Sequence, residues 1–230
     1  MNTTIRGQMS ESKRLAMLLA VSGGLMDAYT YLFRNKVFAN AQTGTLLLLG
    51  ICLAEKDYAK ALQYFFPISA FVFGVILAET IHHSCTEKIH LHWRQIAVFI
   101  ECLILLFVGF LPQKYNLPAN SLVSFACGIQ VECFRKVHGN AFATTMCIGN
   151  LRSGTQAVCN YVFTKNKNYL RKGIMYYCVI LSFMVGAVIG NRLIFHYQEK
   201  AIWCSSLLLL AAFFLMFFKE KKKENFHEYL

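Results

Sequence analysis

The sequence predicts an all-α, polytopic integral membrane protein, and three observations lead to this class. Hydrophobic residues make up 56% of the 230 positions and charged residues only 15%, whereas soluble domains carry roughly 25% charged residues. Two stretches, 96–111 and 201–218, are almost entirely apolar and are about as long as a bilayer core requires. Lys and Arg concentrate in short connections and at the chain ends, as the positive-inside rule predicts.

Eight hydrophobic segments can be drawn along the chain. Their approximate bounds are 14–33, 38–55, 60–82, 95–112, 119–134, 141–163, 172–195 and 201–218. This division places both termini in the cytoplasm, because the connections on the inside then carry more Lys and Arg than those outside. The second and fifth segments are short and polar, so six spans with two re-entrant stretches fit the same pattern. We expect one domain, 1–230, in an inner (plasma) membrane, with a basic cytoplasmic tail, 219–230.

Several other classes of function are disfavoured. The formal net charge of +11 does not indicate nucleic-acid binding, because the charges flank apolar segments. The nine cysteines include no CxxC pair, and most lie in apolar stretches, where a thiol packs as a small hydrophobe. A cluster after the third segment matches no metal-site spacing; its members are His82, His83, Cys85, His90 and His92. Without a phosphate loop or a nucleophile–base pair, we expect no enzyme, cofactor or resident metal.

The chain also contains an internal repeat. Two runs in the first half, Gly24–Ala28 and Phe38–Thr45, correspond to Gly128–Glu132 and Phe142–Asn150 in the second half. We place the repeats at about 14–112 and 119–218, each closed by an apolar helix. Four spans in each repeat give parallel copies about an axis along the membrane normal, whereas an odd number would invert one copy. Both arrangements are typical of transporters.

These runs resemble the YoaK-type small transmembrane proteins, a bacterial family of unknown function. The resemblance covers about residues 12–218 and depends on the patterns Gly24-x-x-Asp27-Ala28, Thr43-Gly44 and Gly128-x-Gln130. The sequence differs from the family at Thr45, where Asn is usual, and at Val131, where a polar residue is usual. The resemblance implies a polytopic membrane architecture, and it supplies no reaction.

Two charged residues, Asp27 and Arg152, lie well inside the predicted spans. A charged side chain at mid-membrane costs about 2.5–3.5 kcal/mol on insertion scales, so each needs a structural or functional reason. Asp27 lies beside Gly23 and Gly24, where a neighbouring helix or an ion can approach closely. Arg152 is the candidate partner of Asp27. The aspartate is therefore either a coupling or substrate-binding carboxylate, or one half of a buried structural ion pair.

Polar side chains recur along the second and sixth segments. On the sixth, they are spaced every four residues and so share one helix face. The candidate lining residues of the two segments are Asn40, Thr43, Thr45, Asn150, Arg152 and Gln156. Because the two segments correspond in the repeat, we expect them to face each other across the axis and line a central path. Hydrogen bonds between helices would produce the same polar stripe without transport.

The other acidic residues of the apolar segments have simpler interpretations. Glu101 lies about one and a half turns into the fourth segment, and we expect it to reach the interface. Glu132 is expected to pair with Arg135 on its own helix. Glu79 lies near the end of the third segment, where headgroups or water can solvate it.

We therefore expect a secondary transporter or permease for a small solute, coupled to protons or another cation. Asp27 would bind the cation, Arg152 would bind an anion or compensate charge, and the remaining candidate residues would line the path. The alternative is a non-transporting membrane protein, an assembly factor or a sensor, whose buried polar residues only pack helices. The lipid bilayer is the one partner that the sequence specifies; the solute and the oligomeric state are left open.

Overall fold

A computed structural model describes residues 13–84, 93–134, 136–137, 140–141 and 147–217. These residues are almost wholly helical. The α-helices are α1 Lys13–Leu32, α2 Gln42–Ala54, α3 Tyr58–Ser84, α4 Trp93–Val108, α5 Asn116–Cys133, α6 Cys147–Thr164, α7 Lys167–Tyr197 and α8 Trp203–Leu215. Two 3-10 helices, Gln113–Tyr115 and Gln198–Ile202, precede α5 and α8. The two-residue strands β1, Lys136–Val137, and β2, Asn140–Ala141, pair antiparallel.

Some of the described helices are long and apolar enough to cross a membrane. Three described stretches qualify as spans by length and hydropathy: Lys13–Leu32, Tyr58–Ser84, and Lys167–Leu215, which contains both α7 and α8. Large apolar side chains such as Phe73 and Val188 are exposed along the outside of the bundle. A soluble protein seldom leaves so much contiguous apolar surface in water, so lipid is the environment that this surface fits.

Helix α2 is short for a membrane span. It is apolar but has only 13 residues, so it rises about 20 Å, which is short of a bilayer core of about 30 Å. The predicted segment 38–55 therefore contains a short helix preceded by non-helical chain. Asp57 follows α2 and accepts a hydrogen bond from the Lys60 amide in the first turn of α3. This bond holds the pKa of the exposed Asp57 carboxyl below its usual value.

Glycines set the closest helix contacts. A Cβ on Gly24 of α1 would collide with the Phe183 carbonyl of α7, and one on Gly186 of α7 would collide with the α1 backbone. The same reciprocal pattern joins Gly74 of α3 to Gly128 of α5, each of which lies against the backbone of the other helix. Without side chains at these positions the backbones approach closely, which is how helices pack in lipid.

The packing of α1 on α7 thus has a counterpart in the packing of α3 on α5. Helix α2 lies against α3, and α6 lies against α7. Helices α1, α4, α5 and α8 contribute to the largest apolar core cluster of the described residues, in which α4 packs on α8. Its most buried side chains include Leu19, Met26, Leu105, Cys127 and Leu209. Helices α2 and α6 therefore pack on α3 and α7 in the described part of the chain, and the expectation that they face each other across a central path stays a prediction.

Candidate functional site

The Asp27 carboxylate holds the non-helical chain that precedes α2. The side chain is only 6% exposed. Its two oxygens accept hydrogen bonds from the backbone amides of Asn40, at 2.7 Å, and Ala41, at 3.2 Å. Asp27 therefore binds the two amides immediately before the first turn of α2. A charged acceptor on backbone amides forms strong hydrogen bonds, so this carboxylate fixes where the helix begins.

Asn40 completes the contact from the opposite direction. Its side-chain amide donates to the Gly23 carbonyl of α1 at 3.1 Å, which ties the non-helical chain to α1 a full turn before Asp27. The Asn40 Oδ1 atom is buried and accepts no hydrogen bond from the described residues. Asp27 and Asn40 thus form a buried polar pair that still offers one open acceptor to a cation or to an N–H or O–H group.

The chain between α1 and α2 is sharply folded. Asn35 and Lys36 both have positive φ, 65° and 60°, a conformation that asparagine tolerates but that costs lysine. Further on, the Thr45 hydroxyl donates to the Phe38 carbonyl at 2.8 Å and accepts from the Phe38 amide at 3.1 Å. Thr45 is fully buried, so its hydroxyl pins the loop to the first turn of α2.

Arg34 is a buried cation that lies between the first two predicted segments. Its guanidinium is fully buried and donates twice to the Tyr29 hydroxyl, at 2.7 and 2.9 Å. It also donates to the Pro112 carbonyl at 3.1 Å and to the Asn116 side chain at 3.2 Å. Arg34 therefore joins the end of α1 to the connection between α4 and α5. The sequence gave little indication of this role, because Arg34 and Lys36 both lie in the short connection after the first predicted segment, where basic residues are common.

Glu101 is also placed differently from the expectation that it reaches the interface. It is fully buried, and neither carboxyl oxygen has a hydrogen-bond partner among the described residues. Its position in the sequence indicates how far along α4 Glu101 lies, but not which side of the helix it occupies. In the structure it lies on the side that faces the other helices of the bundle.

The candidate lining residues fall into two groups. Asp27, Asn40 and Thr45 come together at the start of α2. Asn150 is buried on α6, whereas Thr43 on α2 and Arg152 and Gln156 on α6 are exposed. Both members of the expected Asp27–Arg152 pair are described, and they form no ion pair. The Asp27 oxygens are occupied by backbone amides instead.

The remaining polar residues of the sequence analysis lie at the edges. Glu79, half-exposed near the end of α3, lies 3.2 Å from His83 and 3.8 Å from His82. Within the described residues no group of three or more His, Cys, Asp or Glu is arranged to hold a metal ion. Cys85, His90 and His92, and the Arg135 partner expected for Glu132, lie outside the described residues.

The apolar exterior and the long apolar helices are those of a helical membrane protein. The chain belongs to the family described as "Protein of unknown function (DUF1275)", which matches residues 15–215. It is similar to "UPF0700 transmembrane protein YoaK" of Bacillus subtilis (strain 168), with 25% identity over 185 residues, or 76% of this chain and 80% of the relative. The resemblance noted in the sequence is thus confirmed. No solved structure matches the chain at a significant level.

Proposed function

We propose that this protein is a secondary transporter or permease for a small solute, in which the non-helical start of α2 forms part of the binding site. The observation that carries the proposal is the buried Asp27 carboxylate bonded to the amides of Asn40 and Ala41. Irregular backbone at membrane depth is tolerated only where protein buries it or where it lines a cavity. Broken helices of this kind commonly form the substrate and ion sites of secondary transporters.

The open acceptor at this site indicates what the solute presents to it. Asn40 Oδ1 is buried and has no hydrogen-bond donor among the described residues, and the Asp27 carboxyl group adjoins it. A solute with an ammonium, amide or hydroxyl group, or a cation, would satisfy both. Thr45 and Asn150 extend the proposed polar lining. Thr43, Arg152 and Gln156 are proposed to face an aqueous vestibule beside α2 and α6, because arginine exposed directly to hydrocarbon is costly.

The architecture that we propose for transport is a repeat of two four-helix units, 14–112 and 119–218, with eight membrane segments and both termini in the cytoplasm of an inner (plasma) membrane. The matched packing of α1 on α7 and of α5 on α3 supports it. In the proposed repeat α1 corresponds to α5 and α3 corresponds to α7, so the α1–α7 contact of one unit is equivalent to the α5–α3 contact of the other. Rocking of two such units about a site between them is the usual mechanism of alternating access.

A thermal-shift screen of the detergent-purified protein tests the proposal. Wild type is melted with amino acids, amines, sugars, nucleobases, organic anions and alkali cations, beside Asp27→Asn and the control Asp57→Asn. A bound solute at 100 times its Kd stabilises the folded state by about 2.7 kcal/mol. We expect at least one compound to stabilise wild type and Asp57→Asn but not Asp27→Asn. A panel that stabilises none of the three proteins would argue against a solute site.

The alternative, a non-transporting assembly factor or sensor, is favoured by one specific observation. Both Asp27 oxygens are already bonded within the chain, as a purely structural carboxylate requires. On this alternative Asp27→Asn lowers the melting temperature without altering the response to any solute. The screen separates the two functions, because only a transporter loses a ligand response that its control variant keeps.

A further inference from the structure

The corresponding helices of the two units run in opposite directions. Three side-chain contacts join α1 and the chain just after it to α5: Gln130 with the Leu19 carbonyl, Cys127 with Met26, and Asn120 with the Arg34 carbonyl. Residue numbers rise along α1 while the numbers of their partners fall along α5, so the two helices are antiparallel. The runs that begin at Gly24 and Gly128 make α1 and α5 equivalent helices. A repeat whose equivalent membrane helices are antiparallel is inverted.

The glycine contacts keep the same register in both units. Four glycines each lie against a backbone carbonyl of the partner helix. The pairs are Gly24 with Phe183 and Gly186 with Val21 between α1 and α7, and Gly128 with Phe71 and Gly74 with Phe125 between α5 and α3. Adding one constant to the residue number converts the α1 members of these pairs into the α5 members, and another constant converts the α3 members into the α7 members. The two units therefore correspond residue by residue.

Helices α4 and α8 meet where the axis that relates the units passes between them. Cys102 Sγ donates to the Ser206 carbonyl at 3.4 Å, and Ser206 Oγ donates to the Cys102 carbonyl at 2.9 Å. The constant that relates α1 to α5 also relates Cys102 to Ser206, so each is the equivalent of the other. The helices are antiparallel here, because the Leu106 carbonyl, further along α4, accepts from Trp203, which precedes Ser206. An axis along the membrane normal relates only helices of the same direction, so this axis lies in the membrane plane.

The contacts at the helix ends define two faces of the bundle. Arg34, at the end of α1, bonds to the Pro112 carbonyl and the Asn116 side chain between α4 and α5, and we call this end the Arg34 face. Helix α4 starts at the opposite face, where Trp93 stacks on His82 near the end of α3, with 4.5 Å between ring centroids. Helix α3 therefore ends at the opposite face. It has 27 residues and rises about 40 Å, so it starts at the Arg34 face.

Helix α2 begins inside the bundle and returns to the Arg34 face. The chain after α1 turns back, because the Asn40 side chain bonds to the Gly23 carbonyl, about midway along α1. Helix α2 starts directly after this contact. Its other end lies at the Arg34 face, because Cys52 shares a buried cluster with Val37, in the connection after α1, and with Ala61, in the first turn of α3. Helix α2 is therefore a re-entrant helix and does not cross the bundle.

Helix α6 is the equivalent re-entrant helix of the opposite face. Helix α7 starts at that face, because it runs parallel to α1, with Gly186 against Val21 and Gly190 against Leu25. A short connection joins α6 to α7, and the two helices pack together as an antiparallel hairpin. Helix α6 has 18 residues and α7 has 31, so α6 begins level with the middle of α7 and returns to the opposite face.

The basic residues orient this arrangement in the membrane. Most of the 23 Lys and Arg residues lie at the two chain ends, or in or near the connections α3–α4, α5–α6 and α6–α7, which belong to the opposite face. The connections of the Arg34 face hold fewer: Arg34, Lys36, Lys56, Lys60, Lys114 and Lys200. By the positive-inside rule the opposite face is cytoplasmic and the Arg34 face is external.

We propose that the protein is an inverted repeat of six crossing helices, with α2 re-entrant from the outside, α6 re-entrant from the cytoplasm, and the two-fold axis in the membrane plane between Cys102 and Ser206. The start of α2, where Asp27 and Asn40 bond, then lies near mid-depth and is reached from the outside along the chain between α1 and α2. The start of α6 is reached from the cytoplasm. Inverted units that rock against each other open a central site to one side and then to the other. The path of the chain is the same whether or not a solute is transported.

Labelling of single introduced cysteines in intact cells that express the full-length protein tests this arrangement. The variants replace one exposed lysine in each of four connections: Lys36→Cys, Lys56→Cys, Lys114→Cys and Lys165→Cys. Surface changes usually alter stability by no more than about 0.5 kcal/mol, so all four variants should fold. Labelling by a membrane-impermeant maleimide is measured before and after permeabilisation, as the increase over the unsubstituted protein. The measurement needs no solute, so it can fail while the proposed function holds, and the reverse also applies.

We expect the three variants of the Arg34 face to label as fully in intact cells as in permeabilised cells, and Lys165→Cys to label only after permeabilisation. Lys36 and Lys165 are the matched controls, because eight crossing helices would also place them outside and inside. Lys56 and Lys114 distinguish the two arrangements, because eight crossing helices would place both in the cytoplasm. Protection of Lys56→Cys and Lys114→Cys in intact cells would overturn the inverted repeat. Labelling of Lys165→Cys in intact cells would overturn the assignment of the opposite face to the cytoplasm.

Discussion

Removal of the Arg34 side chain is the most destabilising of the single changes predicted from the structure. Arg34→Ala deletes a fully buried guanidinium that donates to the Tyr29 hydroxyl, the Pro112 carbonyl and the Asn116 side chain. It also removes the donor to the Leu111 carbonyl. Four acceptors, on α1 and on the connection between α4 and α5, lose their donor together.

The magnitude follows from the burial of those acceptors. A hydrogen bond from a charged donor contributes about 1.5–3 kcal/mol, and an unsatisfied buried partner costs about 1–3 kcal/mol. The Leu111 and Pro112 carbonyls are only part-buried, so water recovers some of this loss. We therefore expect about 3–4 kcal/mol of destabilisation for Arg34→Ala. Arg34→Lys keeps the charge but not the planar fork of donors, and should lose about half as much.

The assay is unfolding of detergent-purified variants, followed by circular dichroism on heating, with Arg152→Ala as the control. Arg152 is the same residue type, but it is exposed on α6, and surface changes usually fall within about 0.5 kcal/mol. We expect Arg34→Ala to melt roughly 10 °C below Arg152→Ala. Equal melting temperatures for the two alanine variants would refute the assignment of Arg34 as the buried cation that joins these helices.

Three further predictions concern the site and its surroundings. Asp27→Asn replaces one acceptor oxygen with an amino group opposite a backbone N–H, so it should destabilise the folded protein by about 2–3 kcal/mol. The control Asp57→Asn should unfold almost as wild type does. Equal unfolding of the two variants would contradict the hydrogen bonds of Asp27 to Asn40 and Ala41. Gly24→Ala and Gly128→Ala should each lower the free energy of unfolding by about 1–3 kcal/mol through overpacking. Gly50 has open space around it, so Gly50→Ala should be neutral or stabilising. A neutral Gly24→Ala would rule out the close approach of α1 to α7. A membrane-impermeant maleimide should label the exposed Cys159 on α6 before the buried Cys102 and Cys127, and failure to label Cys159 in proteoliposomes would place that face of α6 in lipid and not in water.

The sequence patterns predicted contacts that depend on residue type at a fixed depth. The runs at Gly24 and Gly128 marked equivalent positions, and both glycines lie at close helix contacts. Asp27 and Asn40 were predicted as site residues, and they bond to each other through the Asn40 amide. Glycines and acids inside apolar segments are informative because each requires an explanation whichever helix lies opposite. A glycine permits close approach of another backbone, and a buried acid requires hydrogen-bond donors.

The patterns did not predict which helices would be neighbours. The spacing of polar residues on α6 showed that they share one face, but it did not show which helix lies against that face. Arg152 was therefore predicted to pair with Asp27 of α1, although α6 lies against α7. Glu101 was assigned to the interface because depth along α4 is readable from the sequence and rotation about its axis is not. Arg34 was missed because its acceptors are mostly backbone carbonyls, which carry no signal in the sequence.

The most direct test of the proposed function is solute uptake into proteoliposomes, using a compound identified in the thermal-shift screen. Wild type, Asp27→Asn and Asp57→Asn are reconstituted at equal density, and uptake is compared with that of protein-free vesicles. Transport through the site at the start of α2 predicts uptake by wild type and Asp57→Asn and its loss in Asp27→Asn. Uptake by Asp27→Asn equal to wild type, or no uptake by wild type of any compound that stabilises it, would contradict the proposal.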